Sequence, residues 1–183
     1  MKRLLALFFA LAILAPLTVS AQTYNVDPSH TTIQFKVRNM GFMSVTGAFD
    51  KFKGTVDIDE TDITKSKADV TIDISSINTG INMRDKDLRS PNFFDAEKFP
   101  TMTFVSTKVE GGADNLKVTG NLTMKGVTKE VTLIVADPKS LQDVAKREAL
   151  ATATVNRQDF GVSGGAVVGD DVLITIKTEL VKQ

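Results

Sequence analysis

The sequence predicts an all-β protein of eight antiparallel strands, arranged as a closed barrel or a two-layer sandwich, with one short helical connection around residues 82–95. Three observations lead there. Apolar and polar residues alternate with a period of two along most of the chain, the pattern of strands that turn one face to a core. Several alternating segments exceed nine residues, longer than sandwich strands usually need, which favours the barrel. The alternation collapses at NMRDKDLRSPNFFD (82–95), where a dense charge run precedes two adjacent phenylalanines.

The first residues read as an export signal. Lys2 and Arg3 precede an apolar run from Leu4 to Leu17, and Val19-Ser20-Ala21 supplies the small residues that a signal peptidase needs. Residues 1–21 are therefore expected to leave, and a single domain, 22–183, to act in the periplasm. Neither Ala21 nor Gln22 can take a lipid anchor, so any membrane contact is expected to be transient. Two of the 22 basic residues leave with the signal, so 20 remain against 22 acidic ones, a balance that attracts no nucleic acid. The chain has no cysteine, which excludes thiol catalysis and thiolate metal sites.

From Thr32 the strands follow in order. Ile33, Phe35 and Val37 share one face of the first. The second, Val45 to Asp59, carries Val45, Gly47 and Phe49 on odd positions but Phe52, Gly54, Val56 and Ile58 on even ones, and this slip at Asp50 and Lys51 predicts a β-bulge. Val70, Ile72 and Ile74 mark the third. Beyond the interruption come Met102 and Phe104, then Leu116 to Met124, then Val131, Leu133 and Val135, with KGVT as the hairpin turn between the last two. Ala149 to Val155 and Val172 to Leu180 complete the set, and glycine pairs at 111–112 and 164–165 mark turns. Small inward residues at Gly47, Gly54, Gly120, Ala151 and Ala153 either leave room for a ligand or fit a tightly twisted core.

Within 82–95, Asn82 is placed to cap a short helix, acids 85 and 87 suit its positive end, and Asp85 and Arg89 are spaced to pair across one turn. Phe93, Phe94 and Phe99 must bury themselves against something, so the connection reads as a plug or lid on a barrel end. Other tempting motifs are weaker. Asp27-Pro28-Ser29-His30 holds the residue types of a hydrolase triad, but neighbouring side chains diverge and cannot form a relay. DIDETDITK from Asp57 resembles a calcium loop only at its first two ligands. No enzyme activity is expected, because the inward positions supply no converging polar groups.

Several stretches together resemble the YceI-like family of secreted bacterial proteins: NVDPSHTTIQFKV, VTGAFDKFKGTV, DISSINTGINMRDKDLRSPNFFDAEKFPTMTFVST, GNLTMKGVTKEVTL and NRQDFGV. The resemblance implies a lipocalin-like, eight-stranded antiparallel barrel whose apolar tunnel holds a long-chain lipid, a polyisoprenoid or a quinone-like amphiphile, with no other cofactor. The family often carries histidines where this chain has Asn39 and Lys125, proline at Glu130 and tryptophan at Tyr24, which weakens any role for histidine in holding a head group or metal. The lipid-binding residues expected here are Phe35, Val37, Phe49, Phe52, Val70, Ile72, Ile74, Phe93, Phe94, Met102, Phe104, Leu122, Ile174 and Ile176. Arg84, Asp85, Arg89, Arg157 and Asp159 are the head-group candidates at the mouth. The expected function is periplasmic binding, transport or storage of such a lipid by a monomer or homodimer. The alternative is a stress-linked scaffold that binds another exported protein or a respiratory component, which an exposed apolar patch would favour.

Overall fold

The computed structural model describes residues 21–112, 114–142 and 147–182. The expected signal peptide lies outside them except for Ala21. The strands are β1 (Gln22–Val26), β2 (Thr31–Asn39), β3 (Met43–Phe49), β4 (Phe52–Ile58), β5 (Lys67–Asp73), β6 (Ile77–Asn78), β7 (Thr101–Gly111), β8 (Leu116–Met124), β9 (Val127–Ala136), β10 (Glu148–Asn156), β11 (Val168–Glu179) and β12 (Val181–Lys182), with helix α1 (Asn82–Arg89) between β6 and β7. Short 3-10 turns occupy Ile63–Lys65, Ile74–Ser76, Pro138–Gln142 and Arg157–Phe160.

All the pairings are antiparallel, in the order β12-β1-β4-β5-β7-β8-β9-β10-β11-β2-β3-β6. This corrects the expected closed eight-stranded barrel. The sheet is open and curled into a half-barrel whose edges stay 17 Å apart, because β12 and β6 each pair on one side only. Each of the eight predicted segments forms strand, but corners break several of them. The parity slip at Asp50 and Lys51 is a break between β3 and β4 rather than a bulge within one strand. Leu180 separates β11 from β12, and Asp27 to His30 separates β2 from β1, a strand that the sequence pattern did not reveal. Bulges do occur elsewhere, between Ser106 and Lys108 on β7 and between Val168 and Val172 on β11, where they add twist.

The third predicted strand stops early for a local reason. The Asp73 carboxylate accepts a hydrogen bond from the Ser75 amide and starts a 3-10 turn, so Ile74 leaves the ladder. After β6 the Asp85 carboxylate accepts from both the amide and the hydroxyl of Thr79, and the chain turns away into α1 beside the sheet edge. A helix next to a short edge strand blunts the row of unpaired main-chain groups that invites aggregation. The KGVT turn has the predicted form: Met124 faces Val127, and Lys125 and Gly126 take φ of 51° and 77°, the two left-handed positions of a type I′ hairpin.

Two apolar clusters fill the curl. One, with Phe49, Phe52, Ile72, Phe93 and Phe160, lies at the α1 end; the other, with Tyr24, Ile58, Leu116, Leu141 and Leu180, lies at the opposite end. Val56 and Ile176 touch both.

Candidate functional site

Period-two alternation builds the site. Each long strand sends every second side chain inward, and together these walls enclose a cavity of about 280 Å³. Its lining along β8 runs from Leu116 to Met124, a span of roughly 27 Å along that strand. The cavity thus joins the two apolar clusters lengthwise. On β10 the inward residues are Ala149, Ala151, Ala153 and Val155, and the three alanines supply much of the room.

The inward glycines do something else. A Cβ at Gly47 would lie 2.4 Å from Phe35 Cζ, and one at Gly120 would lie 2.6 Å from Phe104 Cζ. The rings of Phe35 and Phe104 already occupy those positions, so these glycines add no room for a ligand. At Gly54 the crowding is backbone, with the Asp69 carbonyl oxygen 2.1 Å from the same point.

Of the fourteen expected lipid-binding residues, twelve lie on the cavity wall: Phe35, Val37, Phe49, Val70, Ile72, Phe93, Phe94, Met102, Phe104, Leu122, Ile174 and Ile176. Phe52 and Ile74 are instead buried in the cluster at the α1 end, off the wall. Phe35, Phe49 and Phe94 form an aromatic belt, with centroids 5.8 Å apart for the first pair and an edge-on 6.3 Å for the second.

The expected head-group residues are engaged with the protein itself. Arg84 donates to the Thr79 hydroxyl and carbonyl, and Arg89 donates to the carbonyls of Asp85 and Ser75. Arg89 therefore meets the main chain of Asp85 rather than its carboxylate, and the expected one-turn pair is replaced by staples that fix α1 to residues 75–79. Nor does Asn82 cap the helix: Ile81 holds that position without a side-chain bond. Arg157 is buried on the cavity wall and donates to the carbonyls of Gly169, Val162, Gly164 and Val168 at 2.6–2.9 Å, with Asp170 Oδ1 at 3.4 Å. Five hydrogen bonds consume its donors. Asp159 is exposed in the adjoining 3-10 turn.

Pattern reading missed two cations. Arg147, buried beside the far cluster, bonds Glu60 at 2.6 Å and the Leu141 carbonyl at 2.9 Å and lies 5.3 Å from the Tyr24 ring centre. Lys125 reaches from its hairpin to the carbonyls of Pro91 and Gly161. Nothing in alternation flags either, since both flank strands rather than interrupt them.

The polar groups on the cavity wall are few. Of the polar wall residues, Thr31 and Thr178 hydrogen-bond one another, the Ser66 hydroxyl accepts from the Asp59 amide, and Lys67 is exposed. Among the described residues no three of His, Cys, Asp and Glu gather for a metal. The Asp27–His30 segment is an exposed turn in which Asp27 accepts from the Ser29 amide, the main cause of its lowered pKa. Asp59, one of the two would-be calcium ligands with Asp57, and Asp62, which stands where such a loop needs glycine, hold the turn after β4. Asp59 is kept below the usual carboxylate range by the Thr61 hydroxyl and by the amides of Thr61 and Asp62, and Asp62 by the hydroxyl and amide of Thr64.

Comparison with known proteins fits this architecture. Protein YceI of Salmonella agona (strain SL483) is 40% identical over 134 residues, covering 72% of this chain and 70% of that protein. Burkholderia cenocepacia BcnA superposes with a TM-score of 0.74 at 28% identity, covering 86% of this chain and 99% of that one. A polyisoprenoid binding domain from Saccharophagus degradans, implicated in plant cell wall breakdown, shares the fold with a TM-score of 0.64 at 18% identity, over 89% of this chain and 99% of its own. The family model of the YceI-like domain matches residues 24–180, from the third residue of β1 to the corner before β12, and the chain belongs to that family.

Proposed function

We propose that this protein is a periplasmic carrier or store for a long-chain isoprenoid or related amphiphilic lipid, such as a polyprenyl phosphate or a quinone precursor, held in the apolar cavity. One observation carries the reading: the cavity runs lengthwise through the curl between the two clusters, and its wall is almost wholly aliphatic and aromatic. Such a wall offers chiefly solvent exclusion, its few polar members being Thr31, Ser66, Lys67, Arg157 and Thr178. Each methylene taken from water gains about 0.8 kcal/mol before ordering costs, so a chain of about ten buried carbons reaches useful affinity without directional contacts. Residues 1–21 supply the export signal in this reading, and the likeness to a polyisoprenoid binding domain supports the class of ligand. The twelve wall residues named above bind the tail. Mass spectrometry of organic extracts from the folded protein, purified after export, tests it: a stoichiometric long-chain lipid is expected, and repeated extracts without one would overturn the proposal.

A second reading, docking on another exported protein or a respiratory component, has its own observation. Met40, Phe42 and Met43 are exposed at the tip between β2 and β3, Phe42 by 82%, and the exposed Val167 accepts a hydrogen bond from the Met40 amide through its carbonyl. Loss of function in the cell on Phe42→Ser, with the lipid content of the purified protein unchanged, would favour it.

A further inference from the structure

At the α1 end the cavity is closed by turns rather than by strands. Residues 90–99 form one segment and residues 161–167 another, and each contributes to the wall, through Phe93 and Phe94 on one side and Val162 on the other. The main-chain bonds of the first stay within residues 87–99, and among the described residues none joins it to the second. What does join them is side chains. The Lys125 ammonium donates to Pro91 O at 3.1 Å and to Gly161 O at 2.9 Å, bridging two segments that are far apart in the chain. The Phe93 ring lies against Gly164 and Gly165, where an added Cβ at Gly164 would meet it at 2.7 Å and the Asn92 carbonyl at 2.5 Å. The hairpin itself braces the first segment, since Gly126 sits under the edge of the Phe99 ring.

We propose that Lys125 is the latch of the cavity mouth. It is a positioning residue that holds the joint between residues 90–99 and 161–167 shut, and a long-chain ligand enters and leaves where that joint parts. The other routes are costlier. Helix α1 is stapled through Asp85, Arg84 and Arg89 to residues 75–79, so it stays with the sheet. Passage through the strand wall breaks ladder hydrogen bonds, and the second segment is anchored at its base by Arg157. Parting the joint breaks two ammonium–carbonyl bonds and slides one ring off two glycines, a small local opening of the kind that lids use. The purpose of the latch rests on the lipid reading, whereas the joint rests on geometry alone, and the test separates them.

Amide hydrogen exchange on the ligand-free protein is the first readout, comparing the parent with Lys125→Met and Lys125→Arg. The methionine variant is expected to exchange at least about tenfold faster in 90–99 and 161–167, with the strands and the thermal midpoint nearly unchanged, and arginine to restore protection. Unaltered exchange in both segments of the folded methionine variant overturns the latch. So does a uniform rise across all strands, which marks a general loss of stability. The second readout is stopped-flow binding of a dansyl-labelled farnesyl probe. Association and dissociation are expected to accelerate together with Kd unchanged, because a gate acts on both directions. Faster exchange with unchanged binding rates overturns entry at this joint. Faster exchange in a protein that binds no probe in either form overturns the lipid reading and supports the latch.

Discussion

Ala153→Leu separates a cavity that holds a ligand from a core that merely contains a void. Ala153 is buried at the middle of β10, opposite Ile174 of β11, and its methyl faces the cavity. Leucine adds three carbons there. If they fill space that a lipid tail would take, each displaced ligand carbon forfeits about 0.8 kcal/mol, or about 2.4 kcal/mol in all, and that weakens binding roughly fiftyfold. Sliding of the tail along the cavity trims the loss, so a fall of roughly ten- to fiftyfold is expected. Stability should move the other way or not at all, because new apolar contacts are made without displacing protein atoms. In a filled core the same change forces neighbours aside and costs about 1–3 kcal/mol. Fluorescence titration with the dansyl-labelled farnesyl probe gives the affinity, and thermal unfolding of the lipid-stripped protein gives the stability. A lowered unfolding midpoint with unchanged affinity would refute the argument, since Ala153 would then face packed protein.

Three further outcomes follow from particular contacts. Gly47→Ala and Gly120→Ala should each destabilise by about 1–3 kcal/mol in denaturant unfolding, because the new methyl meets the ring of Phe35 or Phe104 at far below contact distance. Arg157→Met should cost about 3–5 kcal/mol and loosen residues 161–170 in hydrogen exchange, since it leaves one buried and three part-buried carbonyls without this donor. Acid should act on the turn after β4 before it acts on the cavity. The folded pKa values of Asp59 and Asp62 lie below the ordinary 3.8, so their hydrogen bonds are intact above that value and are lost as the pH falls through the depressed ones. Amide exchange in residues 59–64, corrected for intrinsic rates, should rise only there, and Asp59→Asn should show the same loosening at neutral pH.

Much of the scaffold was legible because alternation is a strong signal: Val70, Ile72, Met102, Phe104, Ile174 and Ile176 were read as inward from period two and line the cavity. Corners were not. Leu180 continues the alternation of β11 while the chain bends, so nothing marked the end of one strand and the start of another. Open versus closed is likewise decided by which strand ends lack partners, a property of distant pairs that a linear pattern does not record. At the site, residue type misled where side chains satisfy the main chain: Arg84, Arg89 and Arg157 look like free cations in the sequence, yet their guanidinium groups are spent on carbonyls up to fourteen residues away. Glycine misled in the opposite sense. Gly47 and Gly120 suggested empty space, and only the structure shows the rings that lie over them.

Of those two ring-on-glycine contacts, the one between Phe35 and Gly47 also imposes an order on inherited change. With Phe35 in place, any side chain at position 47 collides with it, so the glycine cannot vary first without a penalty that selection would see. If the phenylalanine shrinks first, the site loses a ring but nothing is crushed, and a methyl at position 47 then has only the Thr79 side chain, 2.8 Å away, to displace. Gly120 differs, because the Val105 carbonyl oxygen lies 2.6 Å from an added Cβ and stays there whatever becomes of Phe104. Lineages descended from this protein should therefore reach a larger residue at 47 through an intermediate that has already given up the aromatic, and the reverse path should be seldom travelled. The neighbouring strands β2 and β3 thus behave as a single heritable unit, with its history written in the sequence of steps rather than in either residue alone.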